Sequence, residues 1–272
     1  MELIDFHTHV FPEKIAAGTI EVLRKNMERQ SGKTGIAYAD GTFAGLVNSM
    51  AEHHVTQSVV LPIVTNPAHA ASINRYAESL NRNKRESGIL SFGGVHPMQP
   101  DWEEVLEDLA ARGFRGIKLH PEYQQFYIDA PESVRLIRKA RELHLLVSVH
   151  AGCDIGIAPP VHCTPDRLLH LCGMTECDNV IAAHLGGWKL WDEVEEKIAG
   201  TPLYMDTAFL KGWIDPAQYL RIVRKHGADK ILFGSDSPWE NPEDSLHFLE
   251  SIGLNGKELA MITHENAERL LG

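Results

Sequence analysis

Histidine, lysine and aspartate recur in this sequence at one kind of place, the C-terminal end of a short apolar run. The first run ends in Asp5-Phe6-His7-Thr8-His9, and later runs end in Val95-His96, Lys118-Leu119-His120, His150, His184, Asp206 and Ser235-Asp236. Side chains alternate along an extended strand, so His7 and His9 point to one face and can grip a single ion from one strand. Lys118 and His120 share a face by the same spacing. A lone histidine at a strand end is an ordinary hydrogen-bonded loop residue. Apolar runs that repeatedly end in His, Lys or Asp are different, because together they bury a costly polar cluster unless something such as a metal satisfies it. Imidazole and carboxylate together suit zinc, and manganese, iron or nickel fit the same donors. An ion with an open position lowers the pKa of water to roughly 7, which yields a nucleophile at neutral pH.

A parallel sheet would bring these ends together. The apolar runs cover 3–9, 58–64, 89–95, 116–120, 145–150, 180–184, 203–207 and 231–235, eight in all. Between them, 103–111, 133–143, 166–171, 190–198, 217–226 and 244–252 carry apolar residues three and four apart, the helical spacing. Thr164-Pro165 and Asp215-Pro216 each set a capping residue before a proline at the first helical position. Residues 12–56 are expected to hold two helices around the small-residue stretch 31–45, of the kind that forms a lid or binding loop. Residues 257–271 read as an added C-terminal helix. Strands alternating with helices predict an α/β fold, a (β/α)8 TIM barrel, as a single domain over 1–272. No glycine-rich phosphate loop follows an early strand, which counts against an open doubly wound sheet. Barrel enzymes place their chemistry at the C-terminal ends of the strands, where the polar residues of this chain fall.

In chain order, Asp5-Phe6-His7-Thr8-His9, Gly116-Ile117-Lys118-Leu119-His120-Pro121, Val149-His150-Ala151-Gly152, Ala183-His184-Leu185-Gly186-Gly187 and Phe233-Gly234-Ser235-Asp236-Ser237-Pro238 form a set. With 265–271 at the C-terminus, the set resembles the amidohydrolase superfamily over the whole chain. The likeness is to the amidohydrolase-related branch that includes aminocarboxymuconate-semialdehyde decarboxylase. The resemblance implies a metal-dependent enzyme with one or two divalent ions, zinc first among them. It implies His7 and His9 as ligands from the first strand, His150 from the fifth and Asp236 from the eighth. His184 matches a residue that holds a second metal in some members and contacts substrate or the reacting water in others. The implied catalytic pair is Asp236 and His184, with Asp236 taking a proton from the attacking water and handing it to the leaving group. Lys118 and His120 are expected to bind substrate; Lys118 could instead be carbamylated and bridge two metals, as in some members, or form a structural ion pair. The expected reaction is hydrolysis of a C–N or C–O bond in a small amide, lactone or ester. The alternative is non-oxidative decarboxylation or hydration of a small carboxylic acid in the same site. No arginine lies in a strand-end motif, which leans toward hydrolysis. Gly93-Gly94-Val95-His96-Pro97 and the C-terminal helix also resemble TatD-type deoxyribonucleases, which carry a glutamate where this chain has Lys118. Asp154, His162 and Trp239 lie in loops that could touch substrate, and Asp236 could instead cap a helix before Pro238.

Composition bounds the partners. With 272 residues the chain can bury a large core without disulfides or a structural metal. A net charge of -11 argues against nucleic acid and acidic membranes as partners, leaving a small-molecule substrate, with or without a homo-oligomer. The N-terminus lacks the basic and apolar regions of a signal peptide, and no apolar stretch is long enough to span a membrane, so a cytoplasmic location is expected. There Cys153, Cys163, Cys172 and Cys177 read as free thiols. His53, His54, His144, His226 and His247 read as solvated or helix-end residues without function.

Overall fold

The computed structural model describes residues 2–272. Short strands alternate with helices in the order the sequence predicts. The strands are β1 (Ile4–Thr8), β2 (Gln57–Val60), β3 (Ile89–Ser91), β4 (Gly93–Gly94), β5 (Gly116–Leu119), β6 (Leu146–Val149), β7 (Val180–Ala182), β8 (Tyr204–Asp206) and β9 (Ile231–Leu232). β3 and β4 are one stave, interrupted at Phe92, whose N–H donates to the Val60 carbonyl at 2.9 Å. Every pairing is parallel, in the orders β1-β2-β3 and β4-β5-β6-β7-β8-β9. The ring closes beyond the last stave: the Phe6 N–H donates to the Phe233 carbonyl at 2.8 Å, the Asp236 N–H to the His7 carbonyl at 2.9 Å, and Thr8 bridges Ser237. The fold is therefore an eight-stave (β/α)8 barrel.

The strands stop earlier than expected, so His9, His120, His150, His184 and Asp236 sit just past them, while His7, Lys118 and Asp206 lie within β1, β5 and β8. The last stave shows why: β9 ends at Leu232 because the next N–H, of Phe233, donates to the Ile262 carbonyl of the C-terminal helical segment instead of to a strand. That segment runs as Gly256–Ala260, a π-helical turn Met261–Glu265, and Asn266–Leu271. Ile4, Phe6, Val59, Leu61, Leu90, Phe92, Leu146, Ile181 and Leu232 form one buried cluster, contributed from around the ring and read here as the lumen filling. A larger cluster includes Ile117, Leu119, Val147 and Val149 together with helix residues such as Leu106, Leu109 and Leu136, so it lies between staves and helices.

Strict alternation along β1 would turn His7 away from Ile4 and Phe6. The register removes the conflict. Asp5 pairs with Ser58 but Thr8 with Val60, so β1 carries one extra residue between them. This bulge lets Phe6 fill the lumen while His7 and His9 turn toward the mouth, a use of bulges common beside active sites.

Two helices occupy the first long connection as expected, α1 (Glu13–Ser31) and α2 (Phe43–Glu52). Thr164 and Asp215 cap their helices, accepting from the N–H groups of Arg167 and Gln218. Two sequence expectations are corrected. Cys172 and Cys177 are bonded to each other rather than free, because the turn after the helix Pro165–Met174 brings their Cα atoms to 5.2 Å. His226 is buried, not solvated: its Nε2 faces the Leu203 carbonyl at 2.9 Å and its Nδ1 accepts from the Gly200 N–H. Among the described residues, no helix is long and apolar enough to cross a membrane.

Candidate metal centre

Three side chains converge at the mouth. His7 Nε2 lies 3.2 Å from His9 Nε2 and 3.4 Å from Asp236 Oδ1, and His9 Nε2 lies 3.2 Å from the same oxygen. The second nitrogens of the rings decide what these atoms are. Nδ1 of His7 faces Asp206 Oδ2 at 2.8 Å, and Nδ1 of His9 faces the Leu61 carbonyl at 2.9 Å. Both neighbours can only accept, so each Nδ1 carries the proton and each neutral ring turns a lone pair from Nε2 into the triangle. Burial, reinforced by the nearby Lys118 ammonium, holds His7 well below the ordinary histidine range and so keeps it neutral. Three lone-pair atoms held this close repel one another unless a cation sits among them. A tetrahedral ion with bonds near 2.05 Å sets its ligands about 3.3 Å apart, which is the spacing found. The donor set fits a divalent ion with an open position.

Asp206, at the end of β8, organises this group. Its Oδ2 fixes the His7 tautomer, while its Oδ1 accepts from the backbone N–H groups of His184 (2.9 Å) and Ala208 (3.1 Å). Sequence reasoning assigns it no role; its place at a strand end is the one signal available. Asp236 takes the left-handed conformation (φ 67°), held by its N–H on His7. It caps no helix: Asn241 caps Pro242–Ser251.

A second group lies beside the first. His184 Nδ1 faces the Ala208 carbonyl at 2.9 Å and His150 Nε2 faces the Cys153 carbonyl at 3.2 Å, so the ring protons sit there and the lone pairs of His184 Nε2 and His150 Nδ1 face each other at 3.0 Å. His120 Nε2 lies 3.4 Å from Asp154 Oδ2, and His150 Nε2 lies 3.9 Å from it. The His120 and His150 rings stack, 4.1 Å apart and 14° from parallel. An imidazole binds an ion in its own plane, so two stacked rings cannot share one. His184 stands between this group and the triangle, its ring lying 5.2 Å from that of His7 and 4.7 Å from that of His150. His150, expected as the fourth ligand, turns its Nδ1 lone pair to His184, and the three converging atoms do not include it. Glu122, buried and with one carboxylate oxygen unpartnered, backs His120 at 3.9 Å; burial pushes it up to about 7.

Lys118 is buried, with Nζ 3.4 Å from His7 Nε2 and 3.4 Å from Ser148 Oγ. Burial lowers it to about 8. Among the described residues it forms no ion pair, which removes the structural-pair reading. His162 donates its backbone N–H to Glu122, and Trp239 donates its own to the Asp236 carbonyl.

A family description for amidohydrolases matches residues 4–272. The chain belongs to the amidohydrolase family. No curated protein matches it. Among solved structures, this amidohydrolase is similar to 2,6-dihydroxybenzoate decarboxylase bound to 2,6-dihydroxybenzoate (TM-score 0.70, 16% identity, covering 100% of this chain and 99% of that one). It is also similar to an uncharacterized TIM-barrel protein from Bordetella bronchiseptica (0.75, 16%, 100% and 98%). A third is a probable 2-pyrone-4,6-dicarboxylic acid hydrolase from Acinetobacter baumannii (0.68, 17%, 100% and 100%). At these identities the likeness shows the fold. The family makes the amidohydrolase an enzyme for small molecules.

Proposed function

We propose that this enzyme hydrolyses a C–N or C–O bond of a small amide, lactone or ester. The observation that carries the reading is the triangle of lone-pair atoms on His7, His9 and Asp236 at the spacing a divalent ion needs. Zinc is the ion this donor set suits best. When bound, it supplies Lewis acidity and lowers the pKa of water. Asp236 meets both histidines through Oδ1, which leaves Oδ2 to take the proton of the attacking water and return it to the leaving group. His184 orients that water with its Nε2 lone pair. Lys118 and His120 face the same mouth and bind the substrate's polar end. The family resemblance gives His150 a ligand's place, and its free Nδ1 lone pair beside that of His184 is consistent with one; the metal content of His150→Ala tests it. The acidic net charge supports a reading without nucleic acid.

Lys118, a buried cation without a carboxylate partner, also suits an acid substrate. That favours decarboxylation as the second reading, a chemistry named for one of the similar structures. The test is a zinc- or manganese-loaded preparation assayed on small lactones, amides and aromatic acids. Hydrolytic turnover that disappears together with bound metal in His7→Ala supports the proposal. Release of carbon dioxide from the acids, with no hydrolysis of any ester, lactone or amide, replaces it with the second reading.

A further inference from the structure

Three loops of the mouth meet at one indole. Lys33, between α1 and α2, places its ammonium 4.2 Å from the ring centre of Trp213. Lys189, in the loop after β7, lies 4.7 Å from the same ring and 4.4 Å from that of Trp188. Trp213 itself follows β8. Among the described residues neither lysine forms an ion pair, although the chain carries a net charge of -11 and Lys211 nearby is neutralised by Asp244 at 2.9 Å. An exposed ammonium over an aromatic face gains only about 0.5–1 kcal/mol. So small a gain leaves both ammonium groups available to pair with an anion seated at this ring.

Lys33 stands at a cavity of about 300 Å³, the lower end of what small-ligand sites occupy, and Lys189 reaches the indole of Trp213 that walls it. Lys33 and Trp213 line it, and Tyr38, Phe209 and Trp239 supply further aromatic wall. The cavity is tied to the candidate metal centre: the Trp239 N–H donates to the Asp236 carbonyl at 2.9 Å and the Tyr38 N–H to the Pro238 carbonyl at 2.7 Å. Glu240 lines it too, nearly buried and with Oε2 unpartnered. Burial pushes that carboxyl up to about 8, so at neutral pH it offers a proton to a guest instead of a second negative charge. The larger cavity of about 500 Å³ over Tyr127 and Asp129 is a weaker candidate, because Asp129 is already paired with Arg167 and His170.

We propose that the smaller cavity is the recognition subsite for the non-reacting part of the substrate. That part is a planar ring carrying an anionic group remote from the bond that breaks, with the ring against Trp213 and Trp239 and the anion at Lys33, over the indole that Lys189 also approaches. The inference rests on the reading of His7, His9 and Asp236 as the reacting centre only for the direction in which the substrate lies.

The test uses 2-naphthoate and its neutral counterpart 2-naphthamide, titrated calorimetrically against the full chain with metal loaded and with metal stripped by chelation. The acid is expected to bind about tenfold more tightly than the amide in both preparations. In Lys33→Gln/Lys189→Gln the ratio should fall to about one, with amide affinity unchanged; both positions are exposed, so folding is not at stake. Equal binding of acid and amide, no binding of either, or a preference that persists in the double variant overturns the proposal. So does a preference that vanishes on chelation, since the anion would then sit on the ion. Absence of hydrolytic turnover alongside an intact preference sinks the proposed reaction and leaves the subsite standing.

Discussion

Asp236 is asked to do two things, to hold an ion and to carry a proton, and a single substitution separates them. Asp236→Asn keeps an oxygen that can face His7 and His9 but loses the ability to accept a proton. Turnover should fall by about 10²- to 10⁴-fold while metal content stays near wild type, measured on metal-loaded protein with one substrate. A variant as fast as wild type would make Asp236 a ligand only and send the search for the base to His184 or His120. Asp206 invites a different measurement, because it touches the centre only through the far nitrogen of His7. Asp206→Asn leaves the three donor atoms in place but loosens the tautomer, and chelator competition should show metal affinity about 10- to 100-fold weaker. The pairing of His7 with His9 was legible from their spacing. Asp206 was not, because its partner lies 199 residues away and no local pattern announces it.

At the scale of elements, the legible part is what local chemistry dictates. Thr164-Pro165 and Asp215-Pro216 start helices where a cap and a proline say they must. The strand ends are less legible, because backbone groups such as the Phe233 N–H are drawn to partners in other segments. The bulge in β1 was invisible for the same reason: it is a property of two strands, while alternation is read along one. Gly152 shows how tightly the loops are set. Its φ of +85° and its bridge to Trp188 run the loop after β6 against the loop after β7, and so keep His150 beside His184. A Cβ at this position would lie 2.2 Å from the Trp188 nitrogen and 2.5 Å from the Gly187 carbonyl carbon, both backbone atoms that cannot swing aside. Gly152→Ala should therefore cost about 3 kcal/mol or more, read from the urea midpoint. An unchanged midpoint would mean that the two loops are less tightly apposed than these distances imply.

The whole molecule is expected to unfold as one cooperative unit whose midpoint depends on the ion. At a free-ion concentration of about 1,000 Kd, binding stabilises the folded form by about 4 kcal/mol. That raises the melting temperature by about 10 °C in a chain of this size. A scan with and without chelator that shows no shift would argue against a site formed only in the folded state. The acid limb of stability has a named contributor. Burial lowers His226 from 6.5 to about 4, so the unfolded chain binds a proton there before the folded one does. Its contribution is complete above pH 6.5 and is lost as the pH falls toward 4, in all about 3 kcal/mol. His226→Gln should flatten the urea midpoint across that window relative to wild type.

The three converging atoms come from the two ends of the chain, His7 and His9 near its beginning and Asp236 near its close. On a ribosome these arrive far apart in time. The first pair is in place before any other stave has been made, yet it has no third partner until more than two hundred further residues have been added and the eighth stave has closed against the first. On the proposed reading, the ion is held with full strength only once the eighth stave has closed against the first.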